Sequence, residues 1–304
     1  MIYTVTLNPA VDLLLYIKDL DPGKTHRAHK EYIFPGGKGI NVSRILNRFH
    51  IPSTALGFAG GFTGDHLADR LNREGIQTRF IKTAENTRIN IKIKNEAETQ
   101  INGPGPNLSE KQILDFLAAF DNIDENDWVV LSGSKPASLP EDFYQTLVEK
   151  LHRKQTPFIL DTSGEELRNG ILKKPFLIKP NQEELEELFG KKHNTMEDYL
   201  HSGRKLLEMG AQNALISLGQ EGSLFFADDN IYKARVPKGK AVNSVGSGDS
   251  MIGGFLAKYL EKKDLLESFR YGNMAGAATA FTEDLASCEE ILSFKKDITI
   301  EKIK

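Results

Sequence analysis

The chain has 304 residues, 39% apolar and 27% charged, an ordinary globular composition with ample length for a proper core. A formal charge of −3, from 39 Lys+Arg against 42 Asp+Glu, argues against a general nucleic-acid or membrane-surface binder, although a local basic group could still hold a phosphorylated small molecule. Cys288 is the single cysteine, which excludes an internal disulfide or a cysteine-rich zinc site and suits a reducing compartment.

The opening MIYTVTLNPAVD has no basic start followed by a long apolar run, and no apolar run approaches the roughly 20 residues that span a bilayer. A cytoplasmic protein is expected. Along the chain, IYTVTL (2–7), TALGFAG (54–60), DWVVLSG (127–133), TPFILD (156–161), PFLIKP (175–180) and NALISLG (213–219) read as buried strands. Helical spacing falls between them, at 40–49, 64–75, 110–120, 142–154 and 196–210, with Gly75 and Gly210 as stop signals. The alternation predicts an α/β fold with a mainly parallel sheet covered by helices on both faces, in one domain spanning 1–304.

Two stretches break this rhythm: 13–20 through 31–34, and 87–95 through 98–102. In TRINIKIKN the residues Ile89, Ile91 and Ile93 point one way while Arg88, Asn90, Lys92 and Lys94 point the other. They read as a small antiparallel flap outside the sheet, formed by about 12–35 and 86–102; a surface hairpin fits the periodicity equally well.

Glycine clusters carry the chemical signal. NSVGSGDS (243–250) precedes an apolar helical pattern, so small residues would let backbone N–H groups approach an anion at a helix N-terminus. Asp249 in the first turn could take a proton from a hydroxyl attacking phosphorus, or could simply stabilise the helix terminus. From this stretch alone the two readings are even. PGGKGINVSR (35–44) is a second glycine cluster at a helix start, where Lys38 and Asn41 supply donors for hydroxyls or phosphate; a tight turn with a solvated lysine is the plainer alternative. GKT at 23–25 resembles the end of a P-loop, but Lys18 stands where that motif needs Gly; neither cluster has the G-x-G-x-x-G spacing, and HExxH and G-x-S-x-G are absent.

GGKGINVSR, KPNQEEL (179–185), ISLGQEGSL (216–224) and VNSVGSGDSMIGGF (242–255), in that order, resemble the motif set of the ribokinase-like sugar kinases, the phosphofructokinase B family. The resemblance runs from NPAVD (8–12) to GNMAGAATA (272–280). Within the family, NPAVD, SGSKPASLP (132–140) and NSVGSGDSM are most similar to the branch acting on ketohexose monophosphates. The resemblance implies a three-layer α/β/α sandwich with a β-sheet lid, ATP as phosphoryl donor, and Mg2+. The implied reaction is phosphorylation of fructose 1-phosphate at its 6-hydroxyl, with tagatose 6-phosphate as the alternative acceptor. A sugar-phosphate sensor without turnover, or a kinase for nucleosides or unphosphorylated sugars, stands further off.

Carried residue by residue, the resemblance places Asp249 on the catalytic base and Gly246, Ser247 and Gly248 on the anion hole, the two glycines also facing the nucleotide. Asn181 and Glu184 fall on the N-x-x-E element, with Glu184 holding Mg2+ through water; spacing alone would make it a charged helix face. Ser217, Gly219 and Gly222 match the nucleotide-phosphate loop, and Asn273 lies in the run expected beside adenine. Asp12, Gly37, Lys38, Asn41 and Ser134 fall on sugar-binding positions, and Arg88 with Lys24 or Arg27 lies where the substrate phosphate is held. Asn243 and Ser247 depart from the Asp and Ala of many members, and Lys135 stands where an apolar residue is common. Lys135 could alter contacts near Ser134 or point into solvent. A homodimer through the flap is expected because exposed strand edges invite a partner.

Overall fold

The computed structural model describes residues 1–95, 98–239, 241, 242 and 245–303. Asn243 therefore lies outside the described residues. In chain order the first strands are β1 (Ile2–Thr6), β2 (Ala10–Tyr16), β3 (Lys30–Gly36), β4 (Thr54–Gly60), β5 (Gln77–Thr83), β6 (Arg88–Lys94) and β7 (Glu98–Asn102). There follow β8 (Trp128–Ser132), β9 (Phe158–Asp161), β10 (Leu177–Ile178), β11 (Asn213–Ser217), β12 (Ser223–Ala227), β13 (Asn230–Arg235) and β14 (Thr299–Lys302). The helices are α1 (Lys38–Arg48), α2 (Gly61–Arg73), α3 (Glu110–Ala119), α4 (Phe143–Arg153) and α5 (Gly164–Ile171). The last five are α6 (Gln182–Phe189), α7 (Met196–Met209), α8 (Ser247–Lys262), α9 (Leu265–Ala280) and α10 (Cys288–Ser293).

Among the described residues, ten strands form one sheet in the order β14-β13-β12-β11-β10-β9-β8-β1-β4-β5. Pairing is parallel from β11 to β5 and antiparallel from β11 to β14. The parallel strands are buried on both faces, which is why they read as continuous apolar runs. Residues of α3 to α7 pack on one face around Phe116, Tyr144 and Leu147, while α1, α8 and α9 cover the other around Val42, Phe255 and Phe269. From β1 the chain proceeds outward to β4 and β5, then returns to β8 on the opposite side of β1. That reversal opens a crevice at the carboxyl ends of the strands, the place where open α/β sheets bind ligands.

The sequence reading needs three corrections. Only Leu177–Ile178 of PFLIKP pairs as a strand, because the lysine and two prolines around it lie at the strand's mouth. β5 escapes notice because an edge strand alternates exposed and half-buried residues like a loop. The flap is a four-stranded sheet in the order β3-β2-β6-β7, and its two hairpins meet in parallel at β2 and β6. The parallel join arises because the chain builds β4 and β5 of the main sheet between the two hairpins.

Arg44 ties α1 to the end of α2 and to the segment after α9. It is 2% exposed on α1, and its guanidinium donates to both Asp284 oxygens at 2.9 and 2.6 Å and to Glu74 at 2.9 Å. Arg44→Met should lower the unfolding free energy by about 1–3 kcal/mol, since it leaves two part-buried carboxylates without their cation. A chemical denaturation midpoint equal to the parent's would contradict this.

Candidate active site

The N-terminus of α8 is left open. Gly246, at φ 79°, makes the turn into the helix, where a Cβ would come within 2.7 Å of Leu285. No side chain caps the helix, and its first backbone bond runs from the Ser250 N–H to the Gly246 carbonyl at 2.8 Å. The N–H groups of Ser247, Gly248 and Asp249 thus have no helical acceptor, and the helix dipole makes their end an anion site. Asp249 is not the missing cap: its Oδ2 accepts from Asn41 Nδ2 at 2.8 Å.

Beneath this terminus lies a buried charge cluster. Asp161, at the carboxyl end of β9, is 1% exposed and stands 3.3 Å from Lys179 Nζ and 3.5 Å from Lys38 Nζ. Lys38 also reaches Glu184 Oε1 at 3.2 Å. A Cβ on Gly248 would meet Lys179 Nζ at 2.9 Å, so this ammonium lies directly under the open helix end. Burial disfavours charge on Asp161, but Lys179 and Lys38 outweigh it and hold its pKa below the usual carboxylate range. Burial likewise opposes charge on Lys38, and the carboxylates of Asp161, Glu184 and Asp249 overcome it, pushing its pKa up. Asp249 goes the other way: burial, then the negative charge of Asp161, raise it to about 6 against Lys38, Asn41 and Lys179.

The small sheet forms the opposite wall. Asp12 on β2 accepts from Asn90 Nδ2 at 2.9 Å and from Lys92 Nζ at 2.6 Å, both on β6. Gly36 on β3 is required there, because a Cβ would run into the Asp12 carboxylate. Arg88 donates from Nε to the Asn8 carbonyl and from Nη1 to the Gly103 carbonyl, each at 3.1 Å. Burial pulls its pKa down, with Asp12 opposing.

One cleft of about 370 Å³ brings Asp12, Gly37, Lys38, Asn41, Arg88 and Ser134 together with Glu184 and Asp249. Lys24 and Arg27 are exposed in the loop between β2 and β3 and do not line it; Lys24 is paired with Asp21 at 2.8 Å. Asn181 caps α6, accepting from the Glu184 N–H, and bridges to Ser217 beside the cleft. Gly219 and Gly222 adopt positive φ in the turn that follows β11. Asn273 requires correction: it is 1% exposed, accepts from Ser223 Oγ and donates to the Phe269 carbonyl, so packing α9 against β12 consumes its amide. Lys135 neither reaches the cleft nor solvates; it pairs with Glu166 at 2.8 Å.

Sequence reasoning missed Asn8, Thr162, Asp161 and Lys179 as site residues. The signals were the Asp that ends the strand FILD with TSG directly after it, and the lysine just before PNQEE. Asn8 and Thr162 line the cleft.

The donor set suits a hard divalent cation that brings its own waters. Both Asp161 oxygens are buried and held, among the described residues, only by the long ion pairs to Lys179 and Lys38, and Glu184 lies nearby through Lys38. Among the described residues no group of three or more His, Cys, Asp or Glu could enclose a metal. A metal held by one or two carboxylates, waters and substrate phosphates fits that arrangement.

Residues 5–292 match the model of the pfkB family carbohydrate kinases. The chain is 44% identical over 303 residues to the 1-phosphofructokinase of Bacillus subtilis, covering all of both proteins. It is 37% identical over 292 residues to the D-tagatose-1-phosphate kinase of Bacillus licheniformis, covering 96% of each. Its fold superposes on phosphofructokinase-2 of Escherichia coli in complex with fructose-6-phosphate with a TM-score of 0.89, at 28% identity over 97% of this chain and 98% of that one.

The charge cluster makes a direct prediction. Asp161→Asn removes the negative neighbour of Asp249 and frees two lysines toward it, so the Asp249 pKa should fall below about 6. Carboxyl carbon NMR titration of the labelled protein reads this; an unchanged or higher value would contradict the electrostatic account.

Proposed function

This chain belongs to the pfkB family of carbohydrate kinases, and from that premise we propose that it phosphorylates fructose 1-phosphate at the 6-hydroxyl, using ATP, to give fructose 1,6-bisphosphate. The observation that carries the reading is the pairing of an uncapped helix end with Asp249, a buried carboxylate of raised pKa that lines the cleft.

In this reading Asp249 accepts the proton of the 6-hydroxyl as its oxygen attacks the γ-phosphorus of ATP. A base that loses its proton near pH 6 is ionised at neutral pH yet basic enough to help. Asn41 fixes the carboxylate's aim. The N–H groups at Gly246, Ser247 and Gly248 face the transferring phosphoryl group, whose charge they stabilise without reorganisation. Lys179 and Lys38 add positive charge from below, and Asn181, Ser217, Gly219 and Gly222 hold the donor's phosphates. Mg2+, when bound, would neutralise phosphate charge, held through water by Glu184 with Asp161 behind it.

The other end of the cleft reads the sugar. Asp12, Gly37 and Ser134 meet its hydroxyls, and Arg88 meets the phosphate already on it. Arg88 suits this role because its partners in the protein are neutral carbonyls, leaving its charge uncancelled. Lys24 and Arg27 do not line the cleft, so the role is given to Arg88. A second reading is favoured by the tagatose-1-phosphate kinase relative. Tagatose differs from fructose in configuration at C4, so tagatose 1-phosphate presents the same phosphate and the same 6-hydroxyl to this cleft. The outer face of the lid exposes Ile33, Ile89 and Ile101, which supports a dimer through that face rather than through a strand edge.

Steady-state assays on a panel of fructose 1-phosphate, tagatose 1-phosphate, tagatose 6-phosphate and fructose test the assignment. The first should have the highest kcat/KM; a tagatose phosphate ahead of it would reject the substrate while leaving the kinase. Asp249→Asn should cut kcat by roughly 10²–10⁴ with ATP binding retained. Arg88→Ala should cut kcat/KM for the phosphorylated sugar about ten- to a hundredfold and hardly affect ATP. A near-normal kcat for the first variant, or unchanged use of every sugar phosphate by the second, would reject the roles given.

A further inference from the structure

We infer that Lys92 determines specificity: by engaging Asp12 it prevents that carboxylate from capturing Arg88, which keeps the Arg88 guanidinium open to a sugar phosphate. The inference rests on the placement of the substrate phosphate at Arg88 given above.

The register of the lid sets up the competition. Along β2 and β6, Ala10 lies beside Arg88, Asp12 beside Asn90 and Leu14 beside Lys92. Arg88, Asn90 and Lys92 alternate onto one face, so Asp12 is a diagonal cross-strand neighbour of both cations. The Lys92–Asp12 contact at 2.6 Å shows that a long side chain spans this diagonal. One carboxylate thus has two candidate cations.

Lys92 wins. Its Nζ stands 2.6 Å from Asp12 Oδ2, and the residue is 7% exposed, so water does little to loosen the pair. Arg88 turns instead to the carbonyls of Asn8 and Gly103. Both line the cleft, but only Lys92 has its charge balanced by a carboxylate there. Without Lys92, two things would follow. The charge of Asp12 would stand unscreened beside an incoming phosphate dianion, and Arg88 would be the nearest cation able to quench it. Either effect removes the attraction that distinguishes a phosphorylated sugar from a plain one.

The test compares fructose 1-phosphate with fructose in the parent, Lys92→Met, Lys92→Arg and the double variant Asp12→Asn/Lys92→Met, all as full-length enzyme with ATP and Mg2+. Lys92→Met should raise KM for fructose 1-phosphate about 10–100-fold, the loss of one charge-assisted contact. Fructose kcat/KM should change far less, so the ratio of kcat/KM between the two sugars collapses. KM for ATP, unchanged within about threefold, serves as the folding control. Lys92→Arg should keep most of the ratio. The double variant should regain it in part, because a neutral amide at position 12 no longer captures Arg88, although both sugars lose a hydroxyl contact. Equal losses for the two sugars in Lys92→Met would show mere positioning of Asp12 and overturn the inference. So would a double variant whose ratio stays collapsed. If the parent prefers tagatose 1-phosphate, the substrate assignment fails, and Lys92 is judged on tagatose 1-phosphate against tagatose.

Discussion

Asp161 is the fixed point of the site. A fully buried carboxylate is costly to desolvate, and one lysine at 3.3 Å would barely offset that cost; two lysines, Lys179 and Lys38, do. The arrangement places two ammonium groups close to an uncapped helix end while keeping the local charge tolerable before any phosphate arrives. Phosphates entering there meet cations already oriented, and Asp161 need not move to release them. Burial, and then the same buried charge, push the Asp249 pKa upward, while Asn41 fixes where its carboxylate sits.

The lid repeats the device in another form. Asp12 is clamped by Asn90 and Lys92 and accommodated by Gly36, which fixes its carboxylate without an excess charge. Both walls therefore hold carboxylates whose charge is balanced from behind. At the far end of the lid, Lys30 and Tyr32 reach Glu283, Lys94 reaches the Val242 carbonyl, and Arg44 holds Asp284 next to Glu283. The segment that anchors the lid is thus the one whose Leu285 packs against Gly246 at the anion site.

Much of this was legible in the sequence. The parallel strands announced themselves because burial on both faces leaves apolar runs, and the glycine-rich helix starts at Gly37 and Gly246 marked the helical wall of the site, where Asn41 meets Asp249. TRINIKIKN showed its two-faced character, but periodicity cannot say which face turns inward; in the structure the polar face does. β5 and the parallel join in the lid were hidden because edge exposure and long-range pairing leave no local signature. Asp161 and Lys179 were hidden for a related reason. Each looks like an ordinary strand-end residue until the fold sets their side chains against each other. Asn273 shows the opposite error, an amide in a suggestive run that the helix packing simply consumes.

The account stands on Asp249 acting as a base whose pKa is raised by burial and by Asp161. Its most direct test is the pH dependence of kcat/KM for fructose 1-phosphate at saturating ATP and Mg2+, corrected for the substrate's own phosphate ionisation. Because the pKa is raised, the active ionised form is lost as pH falls through the folded value, so the rate should drop with unit slope below about pH 6. A profile that stays flat down to about pH 4, the range of an ordinary aspartate, would contradict it.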